Sequence, residues 1–337
     1  MNKEQFTLMY KDIPVALFSM DFKVIQVYSN FYFASIEKFD EFIIDRIPAA
    51  SRRDIESLLF NWKINEYDIH KIALVTRLMN PMDRYWIKLE EDETYDKMIN
   101  KIFKLSKEVY SPSGNNVKAY YWYHDEFGIK KKRLSPVITD TESEVICYRL
   151  AQIFNINCCP VEQVDKDWTF SKYLYDFNKD MFRHIRLDMT NYTGDLFNDL
   201  LRSYSDLKTS IYQMVLFDFV TRQDDRHRSN MAVIYTEESK RYLYPLYDNG
   251  RSLFFEDTEA FIKEATENIE LYATSFGEVG TYYDCVKEIP HPTQYINTNV
   301  TEPQIRACFE GLELPEYKVN GCVKWIMGCL NIINTIE

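Results

Sequence analysis

Apolar and polar side chains alternate over residues 1 to about 35, with Val15 and Leu17, then Val24, Ile25 and Val27, in a stretch rich in Phe and Tyr. A period of two is that of a half-buried strand, and turns are expected near residues 12–14 and 20–22. The period lengthens after Ser51-Arg52-Arg53-Asp54, where Ile55, Leu58 and Leu59 follow what reads as a capping box, so a helix is predicted from about 52 to 63 and another over 66–79. Arg52 and Arg53 read as an exposed helix start. An aromatic strand is expected at 119–123, after the turn-rich stretch 110–118. Thr141 and Glu144 again have capping-box spacing, ahead of Ile146, Leu150, Ile153 and Phe154 at helical intervals. Helices are predicted over 194–204 and 209–221. Leu216, Phe217, Phe219 and Val220 make the second apolar most of the way round, as in a buried helix. Further helices are expected at 257–267, at 302–312 and from 316 to 336, the last with Gly321 and Gly328 on one flank where a neighbour can approach closely.

At 337 residues, 46% hydrophobic and 15% aromatic, the chain can bury more than one core. A net charge of -12 argues against a broad nucleic-acid or anionic-membrane surface, which needs clustered Lys and Arg. Direct nucleic-acid and membrane partners are therefore not expected, and any phosphate site must be local. The seven cysteines form no C-x-x-C pair and read as reduced, buried thiols of a cytoplasmic protein. The N-terminal residues lack the apolar stretch of a signal peptide, and nowhere do about eighteen apolar residues run together.

The chemistry concentrates in residues 215–255. An apolar run ends in a charged loop, Asp225-Arg226-His227 with Asn230 beyond it, and two strands then lead to Asp248-Asn249-Gly250. A hairpin tip centred on Ser239 sets Asn230 opposite Asp248, beside Asp225. Two carboxylates and an amide make a hard oxygen-ligand site, suited to magnesium shared with phosphate oxygens. His227 reads as a proton relay or, preferably, as a support for the loop, and Arg226 as a phosphate ligand or the partner of a carboxylate such as Asp224.

The loop Asp225-Arg226-His227-x-x-Asn230, followed by a hairpin and by Pro245-x-Tyr247-Asp248-x-Gly250-x-Ser252-Leu253, resembles the HipA-like serine/threonine kinases. More distantly the loop is similar to that of phosphoinositide kinases. The resemblance implies an α+β, two-lobed protein-kinase-like (HipA-like) fold with an N-terminal accessory α+β region: an accessory domain over 1–104, a small lobe over 105–175 and a mainly helical large lobe over 176–337. It also implies ATP and Mg2+ as cofactors. Asp225 then matches the catalytic aspartate, with His227 beside it, and Asn230 and Asp248 match the metal-holding positions.

In the small lobe, Ser111, Ser113 and Gly114 lie in the stretch that would cover the phosphates, where backbone N–H groups and small side chains can approach an anion closely. The phosphate-holding lysine falls among Lys130, Lys131 and Lys132. Strand alternation puts Lys131 on the opposite face from the other two, and Lys132 is favoured. Glu144, with Glu142 second, would position that lysine, and residues 170–174 would meet the adenine. The function implied is transfer of phosphate to a Ser or Thr of a protein, which in such kinases is often a translation factor modified by a growth-arresting toxin that has an antitoxin partner. A catalytically weak kinase-fold binding module and a phosphoinositide-type lipid kinase are the alternatives.

Overall fold

The N-terminal alternation becomes a four-stranded antiparallel sheet. In the computed structural model, which describes residues 4–29, 39–101, 108–110, 117–176 and 179–336, the chain divides into two compact units. One comprises Met1–Lys132 with Asp176–Met181, the other Arg133–Tyr175 with Phe182–Glu337.

In the first unit, β1 (Gln5–Tyr10) pairs antiparallel with β2 (Ile13–Ser19), and β3 (Val24–Val27) joins the outer side of β2. After α1 (Phe39–Ile44), α2 (Ile55–Trp62) and α3 (Ile69–Thr76), β4 (Tyr85–Lys88) completes the order β3-β2-β1-β4. Phe6, Leu8 and Phe18 of the strands pack with Phe39, Ile43, Ile72 and Ala73 of the helices. The helix at 55–62 carries no side-chain cap. Arg52 is buried, not exposed as expected, and its guanidinium bonds the Asp54 carboxylate and the Lys118 carbonyl, the latter at 2.6 Å. The capping signal thus loses to an ion pair two residues away. Beyond α4 (Tyr95–Ile99), β5 (Glu108–Tyr110) pairs with β6 (Lys118–Tyr123), and β6 with β7 (Glu126–Lys132). The β6–β7 turn, His124-Asp125, has φ of 48° and 63° at its two central residues, the backbone twist that favours a tight hairpin.

The second unit opens with α5 (Asp140–Phe154) and the hairpin of β8 (Val161–Asp165) and β9 (Trp168–Lys172). A small sheet of β10 (Met181–His184), β11 (Ala232–Tyr235) and β12 (Arg241–Leu243) follows, in the order β10-β11-β12. The rest of the unit is helical: α6 (Ile185–Asp188), α7 (Leu196–Ser203), α8 (Lys208–Thr221), α9 (Glu259–Glu267), α10 (Ile269–Tyr272), α11 (Tyr282–Glu288), α12 (Glu302–Ala307) and α13 (Glu316–Thr335). Helix α8 is buried almost all round, as its apolar circumference requires, with Val215, Leu216, Phe217 and Val220 fully enclosed.

Helix α13 packs on α8, where the Trp325 indole N–H donates to the Phe219 carbonyl at 3.3 Å. A Cβ on Gly321 would collide with Ile262 of α9, and one on Gly328 with Ile269 of α10, so both glycines permit the close approach expected of them. No helix among the described residues is long and apolar enough to cross a membrane.

The expected hairpin register is off by two residues. Val233 faces Leu243, Ile234 faces Tyr242 and Tyr235 faces Arg241, which centres the tip on Glu238. Ser239, at φ 62°, is the left-handed residue that closes a short loop and not its middle. Carried outward, this register sets Asn230 opposite Leu246, so strand pairing does not bring Asn230 to Asp248.

Candidate active site

A buried arginine does what the ladder does not. Asp218 lies on α8 as a charge within an apolar helix, and its side chain is fully enclosed. Its carboxylate accepts two hydrogen bonds from Arg226, from Nε at 2.9 Å and from Nη2 at 3.0 Å. A third, from the Tyr282 hydroxyl at 3.2 Å, completes its shell. The same guanidinium donates from Nη1 to the carbonyls of Asn230 (3.1 Å) and Tyr247 (2.6 Å), and from Nη2 to Asn249 Oδ1 (2.6 Å). All its donors are thereby used, and the loop after α8 and the segment after β12 are held to one planar group. Burial alone would make the guanidinium easier to deprotonate, but Asp218 more than reverses this and holds it charged. Of the two roles read for Arg226, ion-pairing with a carboxylate is the one observed, with Asp218 in place of Asp224. Asp224 instead pairs with Arg251 at 3.0 Å.

Gln223, also buried, makes a second tie. Its Oε1 accepts the Asp225 N–H at 2.9 Å, and its Nε2 donates to the Asp248 carbonyl at 3.4 Å. Asn230 Nδ2 donates to the Asp225 carbonyl at 2.8 Å and stands 3.5 Å from Asp225 Oδ2. Asp248 adopts φ 57°, a left-handed conformation uncommon for a residue with a side chain and held here by its neighbours' bonds. The backbones carrying Asp225, Asn230 and Asp248 thus converge through Gln223 and Arg226. Side-chain oxygens of two acids and one amide fit a hard divalent ion.

His227 is exposed, its Nδ1 accepts the Ser229 N–H at 3.2 Å, and its Nε2 stands 3.8 Å from Asp225 Oδ1. With Nδ1 accepting from Ser229, Nε2 is the ring nitrogen left to face that carboxylate.

The first turn of α5 is buried although it is polar from Asp140 to Glu144. Thr141 and Glu144 do not form the expected capping box, since α5 has no side-chain cap. Glu142 is paired with Arg133 and accepts from Thr141 Oγ1 at 3.0 Å. Glu144 Oε2 accepts the Asn249 N–H at 3.2 Å, and Ser143 Oγ donates to the Ser252 carbonyl at 3.0 Å. Glu144 therefore braces the residue next to Asp248.

On the β6–β7 hairpin, Lys131 faces Lys118 and Lys130 faces Ala119. Lys132 is exposed, Lys130 lies 5.0 Å from the Tyr121 ring centroid, and Lys118 is buried. Ser111, Ser113 and Gly114 lie outside the described residues. In the stretch expected to meet adenine, Lys172 N–H donates to the Pro160 carbonyl (3.0 Å) and Leu174 N–H to the Tyr244 hydroxyl (3.1 Å).

Sequence reasoning missed Asp218, Gln223 and Asn249. Asp218 did leave a signal, because one acid in an otherwise apolar helix demands a buried cationic partner.

No protein-family model matches the chain, and no curated protein sequence does. Solved structures do match. HipA of Shewanella oneidensis MR-1, from the toxin–antitoxin complex of HipA, HipB and operator DNA, has a TM-score of 0.55 at 11% identity over 98% of this chain and 100% of that one. The Helicobacter pylori proinflammatory kinase CtkA has a TM-score of 0.52 at 15% identity, over 66% of this chain and 89% of that one. At such identities the likeness shows the fold: α+β, of the HipA-like kinase type. The HipA structure holds DNA, so the exclusion of nucleic-acid partners drawn from net acidity is not borne out.

Proposed function

We propose that the protein transfers phosphate from ATP to a Ser or Thr of another protein. The observation that carries this reading is the convergence of the Asp225, Asn230 and Asp248 backbones on the Arg226 guanidinium and the Gln223 amide. Phosphoryl transfer asks mainly for positioning and charge neutralisation, and a braced loop provides positioning. In this reading Asp225 orients the acceptor hydroxyl and takes up its proton, with His227 Nε2 beside it. Asn230 and Asp248 offer oxygens to a divalent ion. Bound ATP and magnesium supply the phosphoryl group and the neutralising charge. A lysine of the Lys130–Lys132 run, Lys132 favoured, and the loop with Ser111, Ser113 and Gly114 are assigned to the phosphates. Glu144 acts as the brace on Asn249.

The domain scheme proposed is an accessory region over 1–104, a small lobe over 105–175 and a large lobe over 176–337. By analogy with HipA, which was solved with HipB, an antitoxin-like partner and a role in growth regulation are proposed for this chain as well.

A second reading, a kinase-fold binding module without turnover, is favoured by Leu174, whose N–H already donates to Tyr244 where adenine would dock, and by the exposure of Lys132. One experiment separates the two. The protein is incubated with γ-labelled ATP and magnesium in a cell lysate, and modified sites are read by mass spectrometry. Phosphoserine or phosphothreonine should appear with the wild type and vanish with Asp225→Ala and Asp248→Ala. Bound ATP with no transferred label in any sample would select the second reading.

A further inference from the structure

Four arginines lie in or beside the loop that follows α8. Three have carboxylate partners: Arg222 with Asp257, Arg226 with Asp218 and Arg251 with Asp224. Arg228 does not. Among the described residues no carboxylate forms an ion pair with it, and its guanidinium instead lies over the Tyr192 ring, 3.8 Å from the centroid. A partly exposed cation left unpaired in a chain of net charge -12, where carboxylates outnumber cationic side chains, needs an explanation.

The loop holds Arg228 in a fixed pose. Its carbonyl accepts the Arg186 N–H at 3.0 Å, and the Asn230 N–H bonds the His227 carbonyl at 2.8 Å. The Ser229 N–H bonds His227 Nδ1 at 3.2 Å, and the Ser229 carbonyl accepts the Tyr247 hydroxyl at 3.3 Å. The platform is held too. Thr193, next to Tyr192, bonds Asp199 through its N–H at 2.7 Å and its hydroxyl at 2.9 Å, and Asp199 is fully buried. Stacking on an aromatic face keeps a guanidinium charged and oriented while leaving its N–H edge able to bind an anion.

Position completes the argument. Arg228 is three residues from Asp225, so the two Cα atoms are at most about 10 Å apart along the chain. An acceptor that presents its hydroxyl to Asp225 therefore places its flanking residues near the stretch of loop that carries this side chain.

We infer that Arg228, seated on Tyr192, reads the acceptor: it selects Ser or Thr residues flanked by an anionic side chain, whether a carboxylate or an already phosphorylated residue. The inference rests on the phosphotransferase reading and names the substrate class for that site. Pre-ordering matters because little side-chain entropy remains to be lost when the anion docks.

The test is a degenerate Ser/Thr peptide library offered with magnesium and ATP to the wild type, Arg228→Glu and Tyr192→Leu, with Asp/Glu, phosphoserine and Lys arms at each flanking position. Thermal unfolding of all three proteins verifies folding. The wild type should favour one anionic arm, and which arm identifies the source of the charge. Arg228→Glu should lose about tenfold in kcat/KM on that arm, chiefly through KM, and gain activity on the Lys arm. Tyr192→Leu should fall between. A merely structural role for Arg228 would lower all arms together and create no Lys preference. An active wild type indifferent to flanking charge, or an Arg228→Glu that keeps the wild-type preference, overturns the inference and leaves phosphotransfer standing. A folded wild type that modifies no peptide in any arm overturns both.

Discussion

Replacing Arg226 with Met removes the group that joins the two segments of the site. The lost contacts are two hydrogen bonds to Asp218, two to the Asn230 and Tyr247 carbonyls and one to Asn249 Oδ1. Asp218, with no exposed side-chain surface, would keep only Tyr282 as a partner. Stranding one member of a buried ion pair costs about 3–5 kcal/mol. Most of that is the uncompensated carboxylate, so removing it as well should restore part of the loss. Three acceptors are orphaned in both Arg226→Met and Arg226→Met/Asp218→Leu, so the double variant exchanges the stranded carboxylate for one orphaned Tyr282 hydroxyl at about 1 kcal/mol and should be at least about 2 kcal/mol more stable than Arg226→Met. Guanidinium unfolding followed by tryptophan fluorescence measures this, because Trp325 is fully buried against α8 in the same core. Arg226→Met should also lose phosphotransfer at temperatures where it stays folded. An Arg226→Met protein within about 1 kcal/mol of the wild type, or a double variant no more stable than the single, would refute the assignment of Arg226 as the hub.

Two further outcomes follow from packing. Gly321→Val on α13 should destabilise by about 1–3 kcal/mol in chemical denaturation, and adding Ile262→Ala should recover part of the loss, since the added carbons meet that side chain. The seven cysteines are all buried, and burial pushes the Cys159, Cys285 and Cys322 thiols up to about 12 and Cys308 to about 11. A thiol reagent at neutral pH should thus label none in the native protein and seven after unfolding. Because these folded values exceed the unfolded one near 8.5, the stability they contribute is complete below that pH and lost as pH rises above it, so an unfolding midpoint that climbs between pH 8 and 10 would contradict the burial.

The elements that carry the site were legible where one strong local pattern dominated. Helix α8 is buried because Leu216, Phe217, Phe219 and Val220 leave it no polar face, and the charged loop after it carries Asp225, Arg226 and Asn230. Capping signals were less dependable, for a physical reason. Thr281 with Asp284 and Thr301 with Gln304 form real capping boxes at exposed helix starts. Asp54 and Glu144 do not, because Arg52 takes the first and the Asn249 N–H takes the second. Asp54 is claimed by an arginine two residues before it, and the buried Glu144 by a backbone N–H distant in sequence, so neither serves its own helix end. The hairpin register failed because Ser239 looked like a tip and is the left-handed residue that closes the loop. Convergence of Asn230 and Asp248 was expected from strand pairing, whereas it comes from Arg226. No spacing rule links Asp218 to Arg226, since the helix ends between them.

The central claim is that Asp225, Asn230 and Asp248 form one site for a nucleotide carrying a divalent ion. Calorimetric titration of ATP into the wild type, Asn230→Ala and Asp248→Ala, with magnesium and then with a chelator, tests it most directly. Binding should require magnesium and weaken at least about tenfold in either variant, the loss of roughly 1.4 kcal/mol expected when one oxygen ligand is removed. Binding that is equally tight with the chelator present, or unchanged in both variants, would contradict the account.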